Sequence, residues 1–323
     1  MHNHESILNL EQLRNKKIFL SGGTGFFGKS ILDYLNRAVW NGHLYILSRN
    51  PDNFCKKNPE LIKLPGLNFV QGDIRNFNYS SLPDFDYAIQ AATETHSGLA
   101  EEKPDEMYSV IVEGTKYFLE MCAQKNVSRL LYVSSGAVYG IQPPELPNIP
   151  ESRPCAPVNV YGQGKFDAEN ICLASQTDTV IARCFAFVGP FLPLDKHFAI
   201  GNFINNILNG EDISILGDGT PYRSYMYADD LVEWLLTFLL NGRSNEPYNV
   251  GSDEPISIVE LAEQVLKFSQ SKKAGINIAK EKVDGVLSSR YVPSTKKALK
   301  ELGLKCRISL SESIKRTINS HGK

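Results

Sequence analysis

Paired cysteines, long apolar runs and an excess of either charge are all missing from this chain. Its six cysteines, at 55, 122, 155, 172, 184 and 306, are scattered, with no CxxC spacing and no histidine cluster beside them. Neither a metal site nor a disulfide framework is expected, and the reading is reduced thiols in a cytoplasmic setting. No apolar run reaches the roughly 18 residues of a membrane helix. Met1–Lys17 lacks the apolar stretch of a signal peptide. The formal net charge is −2, so no broad field draws in nucleic acid or an anionic membrane. Repeats and low-complexity segments are also missing. The remainder, 42% apolar and 22% charged over 323 residues, is ordinary globular composition that fits one large domain or two closely joined ones.

Periodicity supplies the architecture. Lys17–Ser21, Leu44–Leu47, Leu67–Val70, Tyr87–Ala92, Leu130–Ser134 and Val180–Phe187 read as strands. Between them apolar residues recur at helical spacing, as in Phe27, Ile31, Leu32 and Leu35. Alternating strands and helices predict an α/β fold, a Rossmann-type doubly wound parallel sheet with helices on both faces. Residues 1–15 read as a polar extension. Residues 16–187, with about 229–250 returning, are expected to form the dinucleotide-binding domain. Residues 188–228 and 251–323 are expected to form a smaller interleaved lobe. The six prolines between Gln142 and Pro157 mark a long loop, expected to act as a lid.

Gly22-Gly23-Thr24-Gly25-Phe26-Phe27-Gly28 follows a strand and opens a helix, the context in which such glycines hold a pyrophosphate. Gly22 allows the tight turn, Gly25 the approach of phosphate, and Gly28 close helix–strand packing. The acidic residue expected about 20 residues later, for the ribose hydroxyls, is missing. Ser48-Arg49-Asn50 stands there instead. Arg49 can pair with a 2′-phosphate, which favours NADP(H); as a solvated cation it leaves NAD possible. Asp73-Ile74 either reaches the adenine or starts a helix.

Tyr161 and Lys165 lie four apart on one helix face. Among fourteen tyrosines only Tyr161 has such a lysine. The ammonium is expected to lower the phenol pKa, and the phenol to move a proton. Ser135, at a strand end, is expected to hold the substrate oxygen.

These pieces together resemble the extended short-chain dehydrogenase/reductase family, in its nucleotide-sugar epimerase/dehydratase group. The likeness runs from about Lys17 to about Leu304. It rests on the glycine motif, Gly72-Asp73-Ile74, Ala91-Ala92, Gly114-Thr115 and Ser134-Ser135-x-x-Val138-Tyr139-Gly140. It continues through Tyr161-x-x-x-Lys165, Gly189-Pro190, Gly217-Asp218-Gly219, Arg223-Ser224-Tyr225 with Asp229, and Tyr248-Asn249-Val250-Gly251. The resemblance implies a cofactor held by Gly22, Gly25, Phe26, Phe27, Gly28, Arg49, Asp73, Ile74, Ala91, Ala92, Tyr161 and Lys165. It implies catalysis by Ser135, Tyr161 and Lys165, a nucleotide-sugar substrate held by Ser135, Arg223 and Arg290, and a homodimer. Surface ion pairing is the other reading of the two arginines.

The chain also departs from the family pattern. The dehydratases of this group carry Asp-Glu after the catalytic hydroxyl residue; here the positions are Gly136-Ala137. Ile111 and Ala186 replace two usual asparagines. Glu94, His96, Lys196 and His197 are candidates for a second acid or base, or for polar lining. The leading expectation is hydride transfer at sugar C4 by a 4-keto-6-deoxy sugar nucleotide reductase. A 4-epimerase comes next, then a 4,6-dehydratase or decarboxylase. The non-enzyme alternative is a nucleotide-sensing protein on the same fold.

Overall fold

The computed structural model describes residues 8–93, 103–194, 198–283 and 285–322. Seven strands make the central sheet: β1 (Lys17–Ser21), β2 (His43–Ser48), β3 (Leu67–Gln71), β4 (Tyr87–Gln90), β5 (Arg129–Ser135), β6 (Thr179–Cys184) and, after four shorter strands, Pro247–Val250. The shorter ones are β7 (Phe187–Val188), β8 (Ile213–Ile215), β9 (Tyr222–Arg223) and β10 (Met226–Tyr227), which makes Pro247–Val250 β11. The sheet order is β11-β6-β5-β4-β1-β2-β3, and every pairing is parallel. All six residues of β6 and the last six of β5 are buried. Helices cover both faces of a parallel sheet, so its strands carry apolar side chains on both sides rather than alternating.

Two apolar layers flank the sheet. One joins Ile31, Leu32 and Leu35 of the helix Phe26–Arg37 to Leu231, Trp234 and Leu235 of the helix Ala228–Asn241. The other joins Met107, Ile111 and Phe118 of the helix Pro104–Gln124 to Ala168 and Cys172 of the helix Val160–Ala174. A separate cluster forms the smaller lobe, from Phe203 and Ile204 of the helix Ala199–Leu208, Leu261 and Val265 of Ile258–Leu266, and Ile314 of Leu310–His321. The lobe also holds β12 (Ile256–Ser257), β13 (Ile276–Ile278) and β14 (Arg290–Tyr291), with β9 sandwiched between β12 and β14.

Three expectations need correction. The described part of the N-terminal stretch is not a loose polar extension. Leu8 and Leu13 are buried in the main core, and the Trp40 indole donates to the Leu13 carbonyl at 3.0 Å. The helix Lys296–Leu302, placed with the lobe by its position in the chain, packs on the main core through Ala298. The proline-rich segment is a pinned strap rather than a free lid. Gln142 is buried and accepts from the Val292 amide at 2.9 Å, Ile149 is fully buried, and Glu151 accepts from the Asn249 amide at 3.0 Å. Prolines suit this strap, because tertiary contacts rather than a ladder satisfy its backbone.

Candidate active site

The glycine turn is shaped by close contacts. Gly22 has φ +76°, and an added Cβ would lie 2.5 Å from the Ala91 carbonyl carbon. Only glycine fits such a left-handed turn under another strand's backbone. At Gly28 a Cβ would lie 2.2 Å from the Gly23 Cα, so helix and turn touch directly. Gly25 differs: it caps the helix Phe26–Arg37 with no side-chain bond, and its added Cβ meets only the Gly22 oxygen, at 3.5 Å. The first-turn N–H groups are thus left without a side-chain acceptor beneath an open approach, which suits a phosphate. Ala91 and Ala92 line the next strand end, and the Ala92 amide donates to Ser21 Oγ at 3.3 Å.

The other proposed cofactor contacts divide. The Phe26 and Phe27 rings are 5.8 Å apart, and Phe27 meets Phe187 edge-on at 5.2 Å. Their side chains therefore pack the seam with the lobe, leaving backbone amides as their contact to an anion. Arg49 is exposed at the β2 tip. Asp73 neither caps a helix nor offers both oxygens outward: Arg75 grips it at 2.8 and 3.0 Å. Those bonds, helped by the more distant charge of Arg49, hold its carboxyl below the usual range. Ile74 is buried in the core.

Ser135 ends β5, 7% exposed, and its Oγ accepts from the Ala137 amide at 3.2 Å. Asn159 caps the helix Val160–Ala174 by accepting from the Gly162 amide at 2.8 Å. A Cβ at Gly162 would lie 2.8 Å from the Ala137 oxygen. The close approach this permits brings the start of that helix, with Tyr161, against the turn that follows Ser135. Lys165, 3% exposed, donates to the Val133 carbonyl at 2.8 Å and lies 5.1 Å over the Tyr132 ring.

The electrostatics correct one expectation. Burial pushes Tyr161 up to about 12, against a lowering by the Ser135 hydrogen bond. Burial also pushes Lys165 down to about 8. The ammonium is turned to a backbone carbonyl, so it does not depress the phenol.

Beneath these groups lies a buried ion pair that sequence reading missed. Arg183 donates to Glu169 through Nη2 at 2.7 Å and Nε at 3.0 Å, and Nη1 reaches Tyr139 Oη at 3.0 Å. Tyr139 donates to Asn249 at 2.9 Å, and Ser134 donates to Glu169. Glu169 continues the four-residue spacing of Tyr161 and Lys165, which was the available signal. Tyr291 of β14, also missed, lies against the next residue: a Cβ at Gly136 would be 2.7 Å from its hydroxyl, and its ring is 4.7 Å from that of Phe185.

The candidate substrate arginines are not brought together as one clamp. Strand register pairs Arg290 with Tyr222 and Arg223 with Tyr291, so the two face opposite sides. Arg290 stacks on the Tyr222 ring at 4.5 Å and lies 3.4 Å from the Pro147 oxygen. Arg223 donates to the Tyr222 carbonyl at 2.8 Å. Glu94, His96, Lys196 and His197 lie outside the described residues.

Comparison with known proteins places the fold and the family. The chain is 28% identical to human dTDP-D-glucose 4,6-dehydratase, over 94% of this chain and 89% of that one. It is 27% identical to UDP-glucuronic acid decarboxylase 1 of Danio rerio, over 96% of this chain and 73% of that one. The fold matches DesIV, the dTDP-glucose 4,6-dehydratase of Streptomyces venezuelae, solved with NAD and TYD bound. That match has a TM-score of 0.81 at 24% identity, covering 94% and 96% of the two chains. The model of the NAD dependent epimerase/dehydratase family matches residues 18–251, most of the chain, and the protein belongs to that family of nucleotide-sugar enzymes.

Proposed function

We propose that this chain, as a homodimer, reduces a 4-keto sugar attached to a nucleoside diphosphate, with NADPH as the preferred cofactor. The observation that carries this reading is the hydroxyl pair at the end of β5. Tyr161, pushed up to about 12, keeps its proton at neutral pH. It is suited to giving that proton to the oxygen of a ketone rather than to taking one from an alcohol. Ser135, at the end of β5, can hold the same oxygen and steady its developing charge. A bound nicotinamide dinucleotide supplies the hydride. Lys165 lies four residues on from Tyr161, where its ammonium can bond the cofactor ribose.

Two further features support reduction over elimination of water. At 136 and 137 stand glycine and alanine, which transfer no proton. Arg49, at the β2 tip, suits a 2′-phosphate. A reductase consumes its cofactor in every turnover, and a phosphate-marked cofactor suits that use. Redox-neutral 4-epimerisation is the second reading, favoured by the NAD held in the Streptomyces venezuelae structure.

Arg49 makes the cofactor choice testable. A charge-assisted contact to phosphate contributes about 1.5–3 kcal/mol, which is roughly ten- to a hundredfold in affinity. The wild type is expected to bind NADPH more tightly than NADH. Arg49→Ala is expected to weaken NADPH by that factor and leave NADH nearly unchanged. Both dissociation constants are measured at one salt concentration, since phosphate contacts are screened. Equal affinities in the wild type, or NAD carried through purification, turn the reading toward the epimerase.

A further inference from the structure

The tip of β2 has a charged neighbour on β3. The two strands pair in register from Leu44 with Leu67 to Ser48 with Gln71, and the Gly72 amide donates to the Ser48 carbonyl at 3.0 Å. Arg49, next after Ser48, and Asp73, next after Gly72, therefore leave adjoining strand ends on the same side of the sheet. In a Rossmann sheet the end of the second strand meets the adenosine ribose, either as an acceptor for its hydroxyls or as a partner for a 2′-phosphate. An ionised carboxylate one strand away opposes that phosphate. Asp73 is such a group, and its turn is tightly closed. Its carbonyl accepts from the Asn76 and Phe77 amides at 3.1 and 2.9 Å, and a Cβ at Gly72 would lie 2.5 Å from the Phe77 Cβ.

Arg75 answers that charge. Its guanidinium donates to Asp73 Oδ1 at 2.8 Å and to Oδ2 at 3.0 Å, and its backbone amide donates to Oδ1 at 3.0 Å. The side chains of Arg75 and Asp73 are 32% and 25% exposed, so the pair lies at the surface of the strand ends rather than in the core. An ion pair at such a site contributes little to stability. Two residues apart in one turn, it also joins no separate elements of the fold. Its effect is on local charge: beside Arg49 the β3 tip is close to neutral. We infer that Arg75 sets cofactor choice through Asp73: by closing on both carboxylate oxygens it cancels a negative charge that would oppose a 2′-phosphate at Arg49. The inference rests on the NADPH reading of the β2 tip and adds to it a residue that does not itself hold the phosphate.

The test is a set of dissociation constants for NADPH and NADH, measured by fluorescence titration of the full chain at one low salt concentration. Arg75→Met keeps a long side chain and removes its charge. NADPH affinity is expected to fall about three- to tenfold, as for a like charge bared beside a partly solvated phosphate. NADH affinity is expected to stay within about twofold, which also shows that the variant is folded. Adding Asp73→Asn removes the bared charge and is expected to return the ratio of the two affinities to within about twofold of wild type. Salt of about 0.5 M is expected to erase most of the Arg75→Met effect. A ratio unchanged by Arg75→Met overturns the inference. Equal weakening of both cofactors overturns it too, since Arg75 then serves a part that both share. So does a fall in ratio that Asp73→Asn leaves in place, since Arg75 then meets the phosphate directly. The change in ratio between proteins, not its value in the wild type, decides the matter. A wild type that binds both cofactors equally sinks the NADPH preference alone, and the drop from wild type to Arg75→Met still decides the role of Arg75.

Discussion

Tyr161→Phe is expected to lower kcat by 10²–10⁴-fold while the protein folds and binds cofactor as before. The change leaves the surrounding scaffold alone. The helix Val160–Ala174 is started by Asn159, whose side chain caps Gly162 at 2.8 Å, and phenylalanine keeps the aromatic ring one residue into that helix. Only the hydroxyl is lost. In the wild type that hydroxyl, pushed up to about 12, is protonated through the neutral range. In the proposed reaction it would donate to the oxygen formed as hydride reaches C4. A positioned general acid contributes about 10²–10⁴ in rate, or roughly 3–5 kcal/mol of barrier at about 1.4 kcal/mol per tenfold. Water is a poor replacement in a partly buried site. Cofactor titration and kcat measured side by side decide the matter. A phenylalanine variant within about threefold of wild type would remove Tyr161 from the chemistry.

The second large effect is on stability. Glu169 and Arg183 have side chains only 2% and 8% exposed and share three charge-assisted bonds. Glu169→Gln keeps shape and one acceptor but leaves the guanidinium without its counter-charge. Breaking a buried pair from one side costs about 3–5 kcal/mol, a large part of the roughly 5–15 kcal/mol that holds a domain together. Denaturant midpoints at unchanged slope measure that loss. Replacing both partners, Glu169→Met with Arg183→Met, removes the uncompensated charge and is expected to recover most of the stability. A loss below about 1 kcal/mol for Glu169→Gln would mean that Arg183 is solvated or held by Tyr139 alone.

What the sequence reveals and what it hides follow from distance along the chain. The parallel sheet was legible because each strand is a local apolar run between helical stretches. The glycine turn was legible because its residues are neighbours, and their steric demands are met within one loop and the adjoining β4 end. Tyr161 and Lys165 were legible because one helical turn joins them. The direction of their electrostatic effect was not, since burial and the Val133 carbonyl outweigh proximity. Tyr291 reaches Gly136 from the far end of the chain through a two-residue strand, and no local pattern signals that contact. The family resemblance set Arg223 and Arg290 on one substrate; the register of β9 and β14 turns them to opposite sides. The proline loop was read as a lid from its length, and its role as a strap stayed hidden because its partners, Val292 and Asn249, lie far along the chain.

The central claim is hydride delivery to sugar C4 with Tyr161 as the acid. Its most direct test uses NADPH carrying deuterium at the transferable position and a panel of 4-keto-6-deoxy sugar nucleotides. The product is read by mass spectrometry and by proton NMR at C4. The account expects one deuterium at C4, one NADPH consumed per product, and neither in Tyr161→Phe. Product formed with no label at C4 and no net consumption of added cofactor would contradict it.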